Sequence, residues 1–354
     1  MDIGIIYNLA DDLLKGGEWD RLADGEVLDT AQAVKVALER NGHRVGIHNV
    51  CRDGLAVLAQ YGALFNLAES TVGSAVTEDA IAEKLEEMGL IFTGAGSVAL
   101  RKCANKAWTK ALLISQDIPT PRYQIVRSEG ETVTSLEYPL IVKPIGEDGS
   151  IGIDDDSVVW DERGLERKVM QILRMYRQPA LVEEFIDGRE INAALIGNGE
   201  DARVLPLSEI IFPADEGRPR ILSFAAEWLA GSYAYLNTGS RCPADLDARS
   251  EAAIKAIAIR ACRVVGCSDY ARVDMRLRGD TPYVLEVNPN PCINPQDSGF
   301  IASAGVAGFS YAEIVDEILA CALARGRAEA RQSAPACQTA PACQGALLPA
   351  EVAG

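Results

Sequence analysis

Three oxygen-bearing side chains end two neighbouring apolar runs: Asp274 in ARVDMRL, and Glu286 and Asn288 in YVLEVN. Residues i and i+2 of a strand point to one face, so Arg272 shares a face with Asp274 and Glu286 shares one with Asn288, while Leu285 and Val287 face the core. The intervening RGDTP reads as a hairpin turn. Pairing Leu277 with Tyr283 then sets Asp274 opposite Glu286 and Arg272 opposite Asn288. Two carboxylates that close repel unless a cation lies between them. Oxygen donors without Cys or His suit a hard ion such as Mg2+, which commonly bridges carboxylates and phosphates. A solvated hairpin face with chance acids explains this segment equally well.

Two further stretches carry groups of the same kind. In LIVKPIGEDGSIGI, Lys143 ends an apolar strand, and Gly146, Gly149, Ser150 and Gly152 form a turn whose backbone N–H groups can approach phosphate oxygens. No GKS or GKT follows, so this is not a Walker loop, and a plain Gly-rich turn is the simpler reading. In LVEEFIDGREI, the strand end Glu183, Glu184, Phe185 and Ile186 offers a carboxylate and backbone groups to an adenine edge and apolar side chains to its face. Glu190, beyond the turn, is spaced to accept from ribose hydroxyls. Taken alone it is an acidic β-turn; taken together, the three stretches describe one ligand, as base, phosphates and metal.

The elements that must position these groups are legible from periodicity. IGIIY, VGIHNV, ALFNLA and LIFTG alternate with helical segments over TAQAVKVALERNGHRV, DGLAVLAQYG and TEDAIAEKLEEMG, which predicts a small parallel sheet. Asp29 and Thr30 are the predicted caps of the first helix and Gly42 its stop. KCANKAWTKALLISQ predicts one helix, and LVEEFIDGREINAALIGNGEDARVLPLSEIIF predicts three strands of one antiparallel sheet. Residues 212–245 have little periodicity and read as a lid. A strongly apolar helix, RSEAAIKAIAIRACRVVGC, precedes the hairpin, and SYAEIVDEILACALARG closes the fold.

Composition narrows the function classes. With 354 residues, 48% hydrophobic, the chain buries a large core over two or three domains. A formal charge of −17 argues against a nucleic-acid partner, although local cations and a metal can still hold a nucleotide. Nine cysteines without CxxC spacing and two histidines argue against zinc and a disulfide framework. No window reaches the length of a membrane span, and a cytoplasmic protein without a membrane partner is expected.

The segments NKAWTKALLISQDIPTP, IVKPIGEDGSIGI, LVEEFIDGREI, YARVDMRL and LEVNPNPCINPQDSGF resemble, in order and spacing, the ATP-grasp superfamily and within it the D-alanine–D-alanine ligase-like carboxylate–amine ligases. The resemblance implies an N-terminal α/β domain followed by an α+β ATP-grasp fold, whose two lobes clamp ATP between antiparallel sheets. The corresponding divisions are 1–100, 101–185 and 186–326, with a flexible tail over 327–354 that repeats APACQ. The resemblance also implies that Lys110 and Lys143 contact phosphates, that Glu183, Phe185, Ile186 and Glu190 hold adenine and ribose, and that Asp274, Glu286 and Asn288 bind two Mg2+ ions, with Mn2+ as a substitute. Arg272 then steadies the reacting carboxylate and the tetrahedral intermediate, and Ser150 lies at the substrate pocket. The implied reaction makes an acyl phosphate and then an amide, with small-molecule amino-acid or carboxylic-acid substrates; a homodimer is left open.

The chain also departs from that family's pattern. The GxSxEReVS-like and His-Gly substrate motifs of D-Ala–D-Ala synthesis are missing from YNLADDLLKGGEWDRLADGEVLDTA and LFNLAESTVGSAVTEDA. Glu26 is the candidate to hold the first substrate's ammonium, with Asn66 and Glu69 behind it. Glu227 and Trp228 align with the family's lid Lys-Tyr pair, Trp228 being a substrate candidate, and Cys292 stands where many relatives have Gly. Asp297, Ser298 and Gly299 are candidates to grip the amine substrate. These departures suggest the joining of other amino acids or carboxylic acids; true D-Ala–D-Ala synthesis and a non-catalytic ATP-binding subunit are the alternatives.

Overall fold

A computed structural model describes residues 1–9, 21–69, 77–213 and 217–333. Residues 10–20 and 70–76, parts of the two stretches that lack the substrate motifs, the lid residues 214–216 and the APACQ repeats lie outside the described residues.

The N-terminal strands β1 (Asp2–Tyr7), β2 (Arg44–Asn49) and β3 (Ala63–Asn66) pair in parallel in the order β2-β1-β3, as the alternation predicts. Helix α1 (Arg21–Arg40) begins ahead of its predicted caps, and Asp29 and Thr30 lie inside it. Its buried stripe of Val27, Ala31, Val34 and Leu38 extends the helical period backwards past them, and Gly42 (φ +84°) then stops it. The helix expected over DGLAVLAQYG is divided at Gly54 (φ +70°) into α2 (Val50–Asp53) and a 3-10 turn over Ala56–Gln60. LIFTG adds only an isolated parallel bridge, Leu64 to Phe92, after α3 (Glu78–Glu87).

The single helix predicted over KCANKAWTKALLISQ is two, α4 (Ser97–Cys103) and α5 (Lys106–Ser115). Asn105 caps the second by accepting from the backbone N–H of Trp108, and this break makes Lys106 the first residue of α5. A four-stranded antiparallel sheet follows, built from β4 (Tyr123–Val126), β5 (Leu140–Pro144), β6 (Val158–Val159) and, after α6 (Glu162–Met175), β7 (Ala180–Glu184), in the order β4-β7-β5-β6. Leu165, Val169 and Ile172 of α6 pack on Val142 and Val182, giving this sheet a core of its own.

The other antiparallel sheet runs β11-β10-β8-β12-β13, with β9 on β8. Its elements are β8 (Arg189–Ile196), β9 (Arg203–Val204), β10 (Ser208–Ile211), the short helices α7 (Phe224–Trp228) and α8 (Tyr233–Asn237), β11 (Gly239–Arg241), α9 (Ala248–Val265), β12 (Tyr270–Arg278) and β13 (Thr281–Asn288). The strand LVEE therefore lies in a different sheet from REINAALI, contrary to the single sheet expected. The chain crosses between them at Gly188, where a Cβ would sit 2.2 Å from the Leu277 carbonyl oxygen. The lid is more regular than its sequence suggests, since Glu209 of β10 pairs with Arg241 of β11.

Helices α10 (Gly299–Val306) and α11 (Tyr311–Ser333) close the chain, α11 continuing past residue 327, where the tail was expected to begin. Leu38, Phe65, Ile196, Phe300 and Ile318 share one core, which joins the parallel sheet to the larger antiparallel one. Leu113 and Ile118 likewise pack with Ile254 and Val273, so the segment after residue 101 is shared with the larger body. Helix α5 touches both antiparallel bodies: Ala107 packs with Leu181 of the smaller sheet, and Leu113 lies in the core of the larger one.

Candidate active site

The β12–β13 hairpin turns on Gly279 (φ +60°) and Asp280, which sets Leu277 opposite Pro282, one residue from the expected Tyr283. An extra residue on β13 between Val284 and Glu286 then restores the register, so Asp274 opposes Glu286 and Arg272 opposes Asn288 as predicted. This bulge also changes the core face: Val284 and Val287 are buried while Leu285 is only half-buried. Bulges near functional sites commonly re-aim side chains in this way.

Asp274 is the hub of the cluster. Arg272 donates to it through Nε (2.8 Å to Oδ1) and a terminal nitrogen (2.9 Å to Oδ2), Asn288 Nδ2 donates to Oδ2 at 2.9 Å, and Asn192 Nδ2 donates to Oδ1. Burial opposes the Arg272 charge, but Asp274, Glu286 and Glu227 outweigh it and hold the guanidinium protonated. Glu286 faces Lys106, whose Nζ is 3.4 Å from Oε2. Burial would raise the Glu286 pKa, yet Lys106, Lys143 and Arg272 together pull it down to about 2.

Lys106 lies one turn before Lys110 and reaches the same cluster. Its Nζ donates to Asp148 Oδ1 and to the Glu147 carbonyl, each at 2.6 Å, and so ties α5 to the Gly-rich turn. Lys110, one turn later, is fully buried beside Glu183 Oε1 (3.2 Å), Thr120 Oγ1 (3.0 Å) and the Leu285 carbonyl (3.4 Å). Lys143 lies 3.1 Å from the other Glu183 oxygen. Burial lowers the Lys110 pKa to about 8 against the opposing pull of Glu183. Glu183 is thus enclosed by two lysines and does not present an open adenine-facing edge.

The Gly-rich turn bends through Gly149 (φ +58°) and Ser150 (φ +57°), and the lid is fastened over it. Ser150 Oγ donates to the Leu222 carbonyl, Phe224 N–H to the Ile153 carbonyl and Trp228 Nε1 to the Gly149 carbonyl, each at 2.9 Å. This places Glu227 of α7 against Ser150 and the charged hairpin face; burial raises its pKa to about 7, with Ser150 and Arg272 opposing.

Further along the same face of β12, Glu190 is occupied by Arg276, whose Nε donates to Oε2 at 2.9 Å. The Arg276 guanidinium stacks near the rings of Phe185 (5.6 Å) and Phe212 (5.2 Å) and reaches the Ile186 carbonyl at 3.5 Å. Arg276 was not singled out from the sequence; an arginine two residues beyond Asp274, on the same strand face, was the available signal.

The loop after β13 meets the parallel-sheet unit. Asn294 Nδ2 donates to Glu26, whose pKa burial raises, and Asn290 Nδ2 donates to Glu78 at 2.7 Å. Ser298 caps α10 and donates through Oγ to the Cys292 carbonyl at 2.5 Å, so Ser298 and Gly299 shape this loop. A small cavity here is lined by Asn66, Glu69, Tyr270 and Cys292, among others. Burial pushes the Cys292 thiol up to about 12, which leaves no thiolate at neutral pH. Cys292→Ala is therefore expected to keep kcat close to wild type in an ADP-release assay; a folded but inactive variant would contradict this.

Two antiparallel sheets whose facing ends bring Lys106 and Lys143 to Glu286, Arg272 and Asp274, with a lid over a Gly-rich turn, define an ATP-grasp protein. The fold matches the crystal structure of D-alanine–D-alanine ligase from Bacillus anthracis complexed with ATP, at TM-score 0.73 and 20% identity over 93% of this chain and 99% of that one. A second structure of the Bacillus anthracis ligase matches at TM-score 0.74 with 21% identity and the same coverage. Residues 112–320 match the family described as D-ala D-ala ligase C-terminus. An uncharacterized protein of Sinorhizobium fredii is 33% identical over 82% of this chain and 86% of its own length. D-alanine–D-alanine ligase of Cupriavidus taiwanensis is 30% identical over 88% and 90%, respectively. The chain belongs to the D-alanine–D-alanine ligase family.

Proposed function

We infer that this protein is an ATP-dependent, ADP-forming carboxylate–amine ligase, which joins an amino acid or another carboxylic acid to an amine. The observation that carries the reading is the convergence of Lys106, Lys143 and Arg272 on Glu286 where the two antiparallel sheets meet. The substrate carboxylate oxygen attacks the γ-phosphorus of ATP and ADP leaves; the amine nitrogen then attacks the acyl carbon and phosphate leaves. Phosphoryl transfer of this kind needs alignment and charge neutralisation, and no protein nucleophile.

In this reading Lys106 and Lys143 hold phosphate oxygens and Arg272, kept in place by Asp274, holds the reacting carboxylate. Phe185, Ile186 and Glu190 form the surroundings of adenine and ribose, while Glu183 acts behind them by holding Lys110 and Lys143. The donor set Asp274, Glu286 and Asn288 fits Mg2+: it is all oxygen and amide, and Glu286 is held ionised. These residues would hold two Mg2+ ions, or Mn2+, supplying charge neutralisation at the phosphates. The lid over 212–245 excludes water from the acyl phosphate, and Ser150, Trp228, Glu26, Ser298 and Gly299 border the substrates.

The partners are then small molecules, with no nucleic acid, and the compartment the cytoplasm; a homodimer is the assembly to test. No helix among the described residues is long and apolar enough to cross a membrane. The proposed functional units remain 1–100, 101–185 and 186–326. Incubation with ATP, Mg2+ and amino acids or carboxylic acids in pairs, read by mass spectrometry, is expected to give ADP, phosphate and one amide product. Absence of ATP turnover with every pair overturns the reading. A second reading, favoured by the Cupriavidus taiwanensis relative, is D-Ala–D-Ala synthesis, for which D-Ala alone would suffice as substrate.

A further inference from the structure

Glu227 is an acid without an evident counterpart. Its Oε2 is buried and has no hydrogen-bond partner among the described residues. The single hydroxyl hydrogen of the neighbouring Ser150 is given to the Leu222 carbonyl, 2.9 Å away. Arg272, the cation acting most strongly on Glu227, is already bidentate on Asp274. Glu286 and Asp274 add like charge from the same face. Nor is the side chain there by accident of a loose loop, because hydrogen bonds at Leu222, Phe224 and Trp228, just before α7 and at its two ends, fasten that helix to the turn.

A buried, under-satisfied carboxylate destabilises the empty site and is stabilised when a cationic donor reaches it. ATP supplies no cationic donor, and the ammonium of an amino-acid first substrate is assigned to Glu26; the second step of the reaction brings another, because the amine arrives as an ammonium. We propose, resting on the ligase reading above, that Glu227 is the seat of the incoming amine: it holds the ammonium beside Ser150 and takes one proton from it, so that the neutral nitrogen attacks the acyl carbon while phosphate leaves and carries off the second proton. The acceptor's nitrogen is thus selected by charge as well as by shape.

The test compares wild type with Glu227→Gln and Glu227→Ala, using the carboxylic acid found in the pairwise screen and two nucleophiles: its own amine partner, an ammonium at neutral pH, and hydroxylamine, which is largely uncharged there. Loss of a hydrogen bond to a charged group predicts a fall in kcat/KM for the ammonium acceptor of about tenfold to a hundredfold. Hydroxamate formation should fall much less, which also reports that the variants are folded. An equal loss with both nucleophiles, or a loss expressed in the KM for ATP or the requirement for Mg2+, overturns the proposal. Wild-type protein that forms no hydroxamate with any acid overturns the ligase reading itself, and this inference with it.

Discussion

Asp274→Asn is expected to lower kcat by on the order of a thousandfold or more, the scale on which single charge-stabilising groups act in phosphoryl transfer. The side chain has two tasks in this account. It is a donor to the proposed metal ions, and it is the bidentate partner that aims Arg272, with Nε and a terminal nitrogen at 2.8 and 2.9 Å. An amide of the same shape keeps the packing between β8 and β13 but removes the charge and one of the two acceptors facing the guanidinium. Steady-state ADP release and circular dichroism on the same preparation check the prediction. A folded variant that retains substantial activity with Mg2+ would contradict both tasks.

The second large effect is on stability. Glu183→Gln leaves Lys110 and Lys143 in the interior without their shared counter-charge, Lys110 being 0% exposed and Lys143 6%. Removing one partner of a buried ion pair typically destabilises by roughly 3–5 kcal/mol, because the remaining charge is left uncompensated. The pH dependence has a definite sign. Lys110 is lowered to about 8 in the folded protein, below its unfolded value of 10.5, so its protonated form opposes folding and this penalty fades as pH rises. Without Glu183 the pKa falls further, which enlarges the penalty at low pH and leaves it absent at high pH. The variant's deficit in denaturant unfolding should therefore shrink between neutral pH and about pH 9. A deficit that grows over that range would show that Glu183 does not support the Lys110 charge.

The groups that carry the candidate site were legible in the sequence where strand periodicity alone places them. Asp274, Glu286, Asn288 and Arg272 are brought together as expected, but by compensation. A two-residue turn shifts the outer register of the hairpin, and the bulge at Leu285 shifts it back. Periodicity has no signal for such a bulge, because it is fixed by the twist and contacts of the surrounding sheet. The place of Lys106 at the start of α5 depends on the helix break at Asn105, a capping residue hidden inside a helical pattern. Arg276 was overlooked because a charged residue on a strand reads as solvent-facing, whereas here Glu190 and two aromatic rings enclose it. The separation of LVEE from REINAALI depends on the close approach at Gly188, a tertiary contact that no local pattern announces.

Glu227 points the other way: its departure from the family's pattern was visible in the sequence, but its meaning was not. Only the fastening of α7 to the Gly-rich turn brings that acid to Arg272 and Ser150, where an unpaired oxygen calls for a cation.

In the ligase reading, a carboxylate is activated by phosphorylation at this site. Once the pairwise screen has supplied the acid, its carboxyl oxygens can be replaced by oxygen-18 and the released phosphate analysed by mass spectrometry after turnover with ATP and the amine. Passage through an acyl phosphate predicts that one labelled oxygen leaves in each phosphate, alongside unlabelled ADP. Phosphate free of label, or AMP and pyrophosphate as products, would contradict the account.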